Sequence, residues 1–231
     1  MPISHVAPVR HDETPAVAAH RRKVVAGVSL AGAGLLGASF AAEPNSRRFY
    51  LLTLATAGTW TLGGLASGPL HLGYVESRDH HLRRPVLTPL ATGVGAFGFF
   101  YGCALVARQI PFLRDAIGRV LAIAEEGDTK LVLLTTYANG LGEEVFFRGA
   151  LYATLPHPQA VAVSTGVYTM ATAATRNPSL MLAAGVMGSL FALQRRASGG
   201  LQASVITHLT WSTLMARYLP PLFRRAAGAA R

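Results

Sequence analysis

Apolar and polar positions fall in long blocks along this chain. Apolar runs occupy 24–42, 49–70, 86–107, 131–155, 160–175, 180–193 and 201–219. The breaks between them hold residues that stop or start helices. They read Pro44-Asn45 with Arg47-Arg48, Pro156-His157-Pro158, Arg176-Asn177-Pro178, Arg195-Arg196 before Gly199-Gly200, and Pro220-Pro221. A full membrane crossing wants about 20 apolar residues. Several runs are shorter, so the pattern predicts an all-α, polytopic transmembrane helical bundle of about seven spans, within a range of six to eight. The second and third runs contain Gly64-x-x-x-Gly68 and Gly98-x-x-x-Gly102, a small-residue pattern that permits close helix approach.

Two segments break the pattern. In 108–130, Ile110, Phe112, Leu113, Ile117, Val120, Leu121 and Ala124 interleave with Arg114, Asp115, Arg119, Glu125 and Glu126. That spacing predicts an amphipathic helix lying in the membrane interface. Residues 1–23 are polar and end in Arg21-Arg22-Lys23, which reads as a disordered basic arm holding a cytoplasmic start. A signal peptide cleaved after Ser39-Phe-Ala41 is the rival reading. The arm and the apolar run are both long for one, so a retained span is expected. The chain then divides into the arm (1–23), N-terminal spans (24–107), an interfacial segment (108–130), a helical core (131–219) and a basic tail (220–231).

Composition sharpens this. Apolar residues make up 51% and charged residues 14%, against about 25% charged in an ordinary soluble domain. The net charge of +10 is unaccompanied by a basic stripe set among stacking aromatics, which argues against nucleic acid. Membrane lipids with anionic headgroups are the expected partners of the short basic loops. Lys and Arg divide almost evenly between alternate sides, so charge leaves the orientation open. The lone Cys103 lies in an apolar run and reads as packing. His71, His80 and His81 in the 71–85 loop read as solvated. No Cys/His spacing of a zinc site occurs, and no metal or other cofactor is expected.

Charge at membrane depth is expensive, roughly 2.5–3.5 kcal/mol per group on insertion scales, so charges there are candidates for function. The run 131–155 holds three, in Asn139-Gly-Leu-Gly-Glu143-Glu144-Val-Phe-Phe-Arg148-Gly149. Glu144 and Arg148 stand four apart, in the favourable order for a helical ion pair. Glu143 lacks such a partner and lies one turn after Asn139. A second polar group follows in Thr207-His208-Leu-Thr210-Trp211-Ser212, with His208 and Ser212 on one helical face. The run 160–175 adds Ser164, Tyr168, Thr169 and Thr172. The plain reading of the hydroxyls is interhelical hydrogen bonding. Glu143 asks for more: a carboxylate in a semi-dry pocket can act as general base toward water. A nearby imidazole could stabilise the tetrahedral intermediate of amide hydrolysis. The usual hydrolase signatures, Gly-x-Ser-x-Gly and His-Glu-x-x-His, do not occur.

Glu143-Glu144-Val-Phe-Phe-Arg148 resembles the first signature, Glu-Glu-x-x-x-Arg, of the CPBP family of intramembrane proteases, which spans CaaX prenyl proteases and bacteriocin-immunity, Abi-like proteins. The run from Gly188 through Gly199-Gly200 to His208 resembles that family's approach to its last signature, His-x-x-x-Asn. The likeness covers roughly 131–217. It implies hydrolysis of a peptide bond near the membrane interface by a glutamate-activated water, in an integral protein of the bacterial plasma membrane. It also implies a membrane-proximal peptide or protein as substrate. By position Glu143 is the base, Glu144 with Arg148 a supporting ion pair, and His208 part of the oxyanion site. The family was long described as metal-dependent, although its structural picture is a glutamate centre without bound metal. Two departures stand out. The middle signature, Phe-x-x-x-His, corresponds to Tyr168 and Thr172, and Ser212 replaces the last Asn. Threonine donates a hydrogen bond but cannot hold a proton near neutral pH. Three readings follow: an intramembrane protease, a weak or inactive relative that binds or shelters a partner, and a proton-coupled transporter using Glu143.

Overall fold

A computed structural model of the chain describes residues 13–77, 79–156 and 158–223. The fold is all-α. Its helices are α1 (Pro15–Ala41), α2 (Arg47–Ala66), α3 (Leu87–Ala107), α4 (Pro111–Glu126), α5 (Thr129–Glu143), α6 (Ala160–Ala173), α7 (Pro178–Ser198) and α8 (Gln202–Tyr218). From Glu144 to Leu151, α5 continues as a π-helix. The predicted breaks act as caps. Thr14 precedes Pro15, Asn177 precedes Pro178, and the side chains of Thr14, Ser46, Asp128 and Asn177 each accept from the first turn of the following helix. Gly199 ends α7 at φ 70°, a left-handed position that favours glycine.

Two helices, α1 and α3, are long and apolar enough to cross a membrane. α4 has the expected amphipathic character, burying Ala116 and Leu121 and exposing Ile110, Phe112, Arg114 and Arg119. Between α2 and α3 lies a short antiparallel hairpin, β1 (Val75–Glu76) with β2 (Leu82–Arg83), which the apolar pattern did not anticipate. Its approach strand serves α8: the carbonyls of His71 and Leu72 accept from Leu201 and Gln202, and Tyr74 N–H donates to the Ser198 carbonyl. These bonds occupy donors that a helix start otherwise leaves unpaired.

The N-terminal arm requires correction. Residues 1–12 lie outside the described residues, but 15–23 are the first turns of α1. Arg21 is fully buried there. It pairs with Glu13 and donates to Ser67 Oγ and the Pro69 carbonyl, each at 2.9 Å. A buried guanidinium needs such a set of acceptors, and the end of α2 supplies it. On the tail side, helical structure runs on past Pro220 to Phe223, and Leu222 is buried.

The core gathers on the π-segment. Trp60 of α2 packs on Phe146 and Phe147, with ring centroids 4.7 and 5.0 Å apart, and Phe147 meets Tyr168 of α6 at 4.8 Å. Close approach by α2 depends on glycine. A Cβ at Gly142 would stand 2.8 Å from the Ala57 carbonyl oxygen, and one at Gly64 would stand 2.7 Å from Val145 Cγ1. Gly98 and Gly102 make no such approach among the described residues. Both face open space on α3, a helix that packs chiefly on α8.

Candidate active site

Three helices and the π-segment converge on the charged motif. Every residue from Glu144 to Leu151 is buried, and Glu144 and Arg148 have no exposure at all. Single turns of π-helix recur at functional sites in proteins. The π-segment keeps the predicted ion pair, with Arg148 Nη1 3.4 Å from Glu144 Oε1. Glu144 has a second partner that its own helix did not reveal. His208 Nδ1 lies 3.0 Å from Glu144 Oε1. Beside Arg148 the carboxylate is the acceptor, so Nδ1 carries the hydrogen and donates. This leaves Nε2 as the free edge of the ring, aimed at Glu143 Oε2 across 4.0 Å.

Glu143 is the part-exposed member, with 16% of its side chain accessible. Its neighbour Asn139 makes no bond to it; Asn139 Oδ1 is buried without a partner. The direct partner is Tyr168, whose hydroxyl donates to Glu143 Oε2 at 2.6 Å. Thr172, one turn further along α6, does not enter the site. Its hydroxyl donates to the Tyr168 carbonyl at 2.9 Å. The other hydroxyls of that helix depart from the interhelical reading, since Ser164 and Thr169 donate to carbonyls of their own helix. Thr207 instead donates to the Pro89 carbonyl of α3 and accepts from Gln194 of α7. Ser212 is half-buried one turn past His208, and no hydrogen bond among the described residues engages its side chain.

α7 supplies a wall that the charged motif gave no hint of. Gly188, Phe191 and Arg195 share one helical face. Phe191 stacks on the His208 ring, centroids 4.7 Å apart and planes 19° from parallel. The Arg148 guanidinium sits between aromatic faces, 4.5 Å from Tyr168 and 5.1 Å from Phe191, and donates to the Gly188 carbonyl at 3.0 Å. Arg195 Nε donates to the Arg148 carbonyl at 2.8 Å. The i, i+3, i+7 spacing was visible in the sequence, but glycine and phenylalanine at such spacing mark any packed helix.

Glu144 is thus held by Arg148 and His208, and Glu143 by Tyr168 with His208 facing it. Among the described residues no group of three His, Cys, Asp or Glu side chains is arranged to hold a metal ion. A carboxyl group anchored at one oxygen, an imidazole edge facing it, and a buried ion pair behind form a set suited to moving a proton between water and a carbonyl substrate.

Residues 126–214 match the family model described as Rce1-like, type II CAAX prenyl endopeptidase Rce1-like. The matched stretch contains Glu143, Glu144, Arg148, Tyr168 and His208. Over that stretch the chain is similar to the Rce1-like membrane endopeptidases, in line with the likeness to the CPBP family drawn from its short signatures. No curated protein and no solved structure matches the chain.

Proposed function

We propose that this protein is an intramembrane endopeptidase in which Glu143 activates water against a peptide bond near the membrane interface. The observation that carries the reading is the pairing across the gap: Glu143 Oε2 and His208 Nε2 stand 4.0 Å apart, a span that one water or substrate oxygen bridges with two hydrogen bonds. Glu143 takes a proton from water, and the hydroxide adds to the peptide carbonyl. When protonated, His208 Nε2 donates to the oxygen on which charge develops. The proton held by Glu143 passes to the departing amine, giving a carboxylic acid and an amine from one water. Glu144 holds His208 through Nδ1, and Arg148 balances Glu144. No step passes through a metal.

Helix ends support a membrane arrangement of seven crossings, with α4 lying at one surface. Thr14, Ser67, Leu87, Gln159, Ser198 and Leu201 then fall on one side, and Ala42, Ser46, Arg108, Asp128, Ala174 and Asn177 on the other. His208 is six residues into α8 and Tyr168 eight into α6. At about 1.5 Å per residue the site lies ~9–12 Å below the first of these surfaces. That depth suits a membrane-proximal peptide substrate in contact with lipid.

A second reading, a non-catalytic relative that binds a partner, is favoured by one observation: Thr172 brings no imidazole and its hydroxyl is committed to the backbone. Comparing the protein with its Glu143→Gln variant separates the two. Both are purified in detergent and offered a library of membrane-proximal peptides. Cleavage by the unaltered protein that Glu143→Gln abolishes supports the protease. Equal background in both rejects it.

A further inference from the structure

We infer that Tyr168 is a positioning residue for Glu143, its phenol filling the place of a donor that the rest of the site does not supply. The inference rests on the protease reading. Tyr168 donates to Glu143 Oε2 at 2.6 Å, and the other polar groups near Glu143 are committed elsewhere or stand off. His208 Nε2 is 4.0 Å away, the Thr172 hydroxyl is bonded to the Tyr168 carbonyl, and Asn139 Oδ1 has no partner. The bond fixes Oε2 at the edge of the gap facing His208 Nε2, and a carboxylate oxygen has a second lone pair with which to meet water there.

The ring is built into its pose. One face of Tyr168 carries the Arg148 guanidinium at 4.5 Å, and Phe147 lies at 4.8 Å. On the α7 side the space is left by Gly188, where a Cβ would stand 3.0 Å from Tyr168 Cδ1. With only 9% exposure the ring is held largely out of solvent, and Glu143 is the acceptor of its hydroxyl. It gives a hydrogen bond before and after Glu143 takes the proton from water, and keeps its own proton throughout. A short bond to an ionised group is among the stronger hydrogen bonds a side chain makes, so its loss should be felt in the rate.

Tyr168→Phe tests this, together with fluorotyrosines at 168 that keep the shape of the ring and grade the acidity of its hydroxyl. The expected result is a fall in kcat of about 10²–10³-fold for Tyr168→Phe, the size seen when a single preorganised donor is removed, with KM little changed. Across the fluorotyrosines kcat should vary systematically with phenol acidity. If Tyr168→Phe retains full kcat, or if kcat is flat across the fluorotyrosines while the unaltered protein cleaves, the ring only fills space and the inference fails by itself. If the unaltered protein cleaves no better than Glu143→Gln, the protease reading fails and takes the inference with it. The contact is read without turnover by the ¹⁹F resonance of 3-fluorotyrosine at 168. It should move on Glu143→Gln, and a resonance indifferent to that change overturns the inference.

Discussion

At the scale of single residues, the two adjacent acids are held by different elements. Glu144 is tied to Arg148 within its own helix and to His208 across the bundle. Glu143 is tied to Tyr168. Arg148→Ala should therefore damage more than one contact. It removes the cation beside Glu144 and a donor from the Gly188 carbonyl, and empties the space between Tyr168 and Phe191. Breaking a buried pair in this way costs about 3–5 kcal/mol, so folded yield and the unfolding midpoint in detergent should both fall. An unchanged midpoint would show that Glu144 is neutral or reaches water. The Glu144–Arg148 pair was legible from four-residue spacing, because both partners lie on one helix. The Tyr168–Glu143 bond was not, because 25 positions separate them and nothing in either local sequence specifies the other. Asn139, adjacent in sequence and one turn away, was the natural but wrong neighbour.

At the scale of elements, equal glycine spacings have unequal consequences. Gly64 and Gly142 lie where α2 meets α5 and the π-segment, and a Cβ at either would clash. Gly98 and Gly102 open onto nothing within 4 Å. Gly142→Val should overpack the α2–α5 contact and cost about 1–3 kcal/mol, visible as a lower thermal midpoint. Gly98→Val should leave the midpoint within the roughly 0.5 kcal/mol expected of an unpacked position. A comparable loss in both would mean that α3 is covered in the assembled protein. The π-segment belongs to the same scale. Glu144 to Leu151 are all buried, and a helix buried all round has no polar face whose period could betray a change of pitch.

At the scale of the whole molecule, the proposed seven crossings make a prediction about sidedness. With Cys103 replaced by Ala, single cysteines at Ser46 and at Asp128 should react with an impermeant thiol reagent from the same side of sealed vesicles. A cysteine at Ser77 should react from the opposite side. Labelling of Ser46 and Ser77 from one side would remove the α2 crossing and with it the seven-span arrangement. Arg21 also acts at this scale, since it joins the start of α1 to the end of α2 through Glu13, Ser67 and Pro69. Its removal should loosen α1, and protease sensitivity near residue 68 should rise in Arg21→Ala.

The sequence by itself determined the all-α character, the amphipathic α4, most helix boundaries and the Glu144–Arg148 pair. Each of these depends on interactions within a few residues: hydrophobic blocks, caps, and i,i+4 spacing. It also carried the family likeness through the order of short signatures, which the match over 126–214 supports. Only the tertiary structure decided how the charged motif is completed. His208 bonds to Glu144 and turns its other nitrogen toward Glu143, Tyr168 takes the contact that Asn139 and Thr172 leave unfilled, and α7 closes the wall. Those outcomes rest on which helices pack together and at what depth, and local spacing carries no record of either.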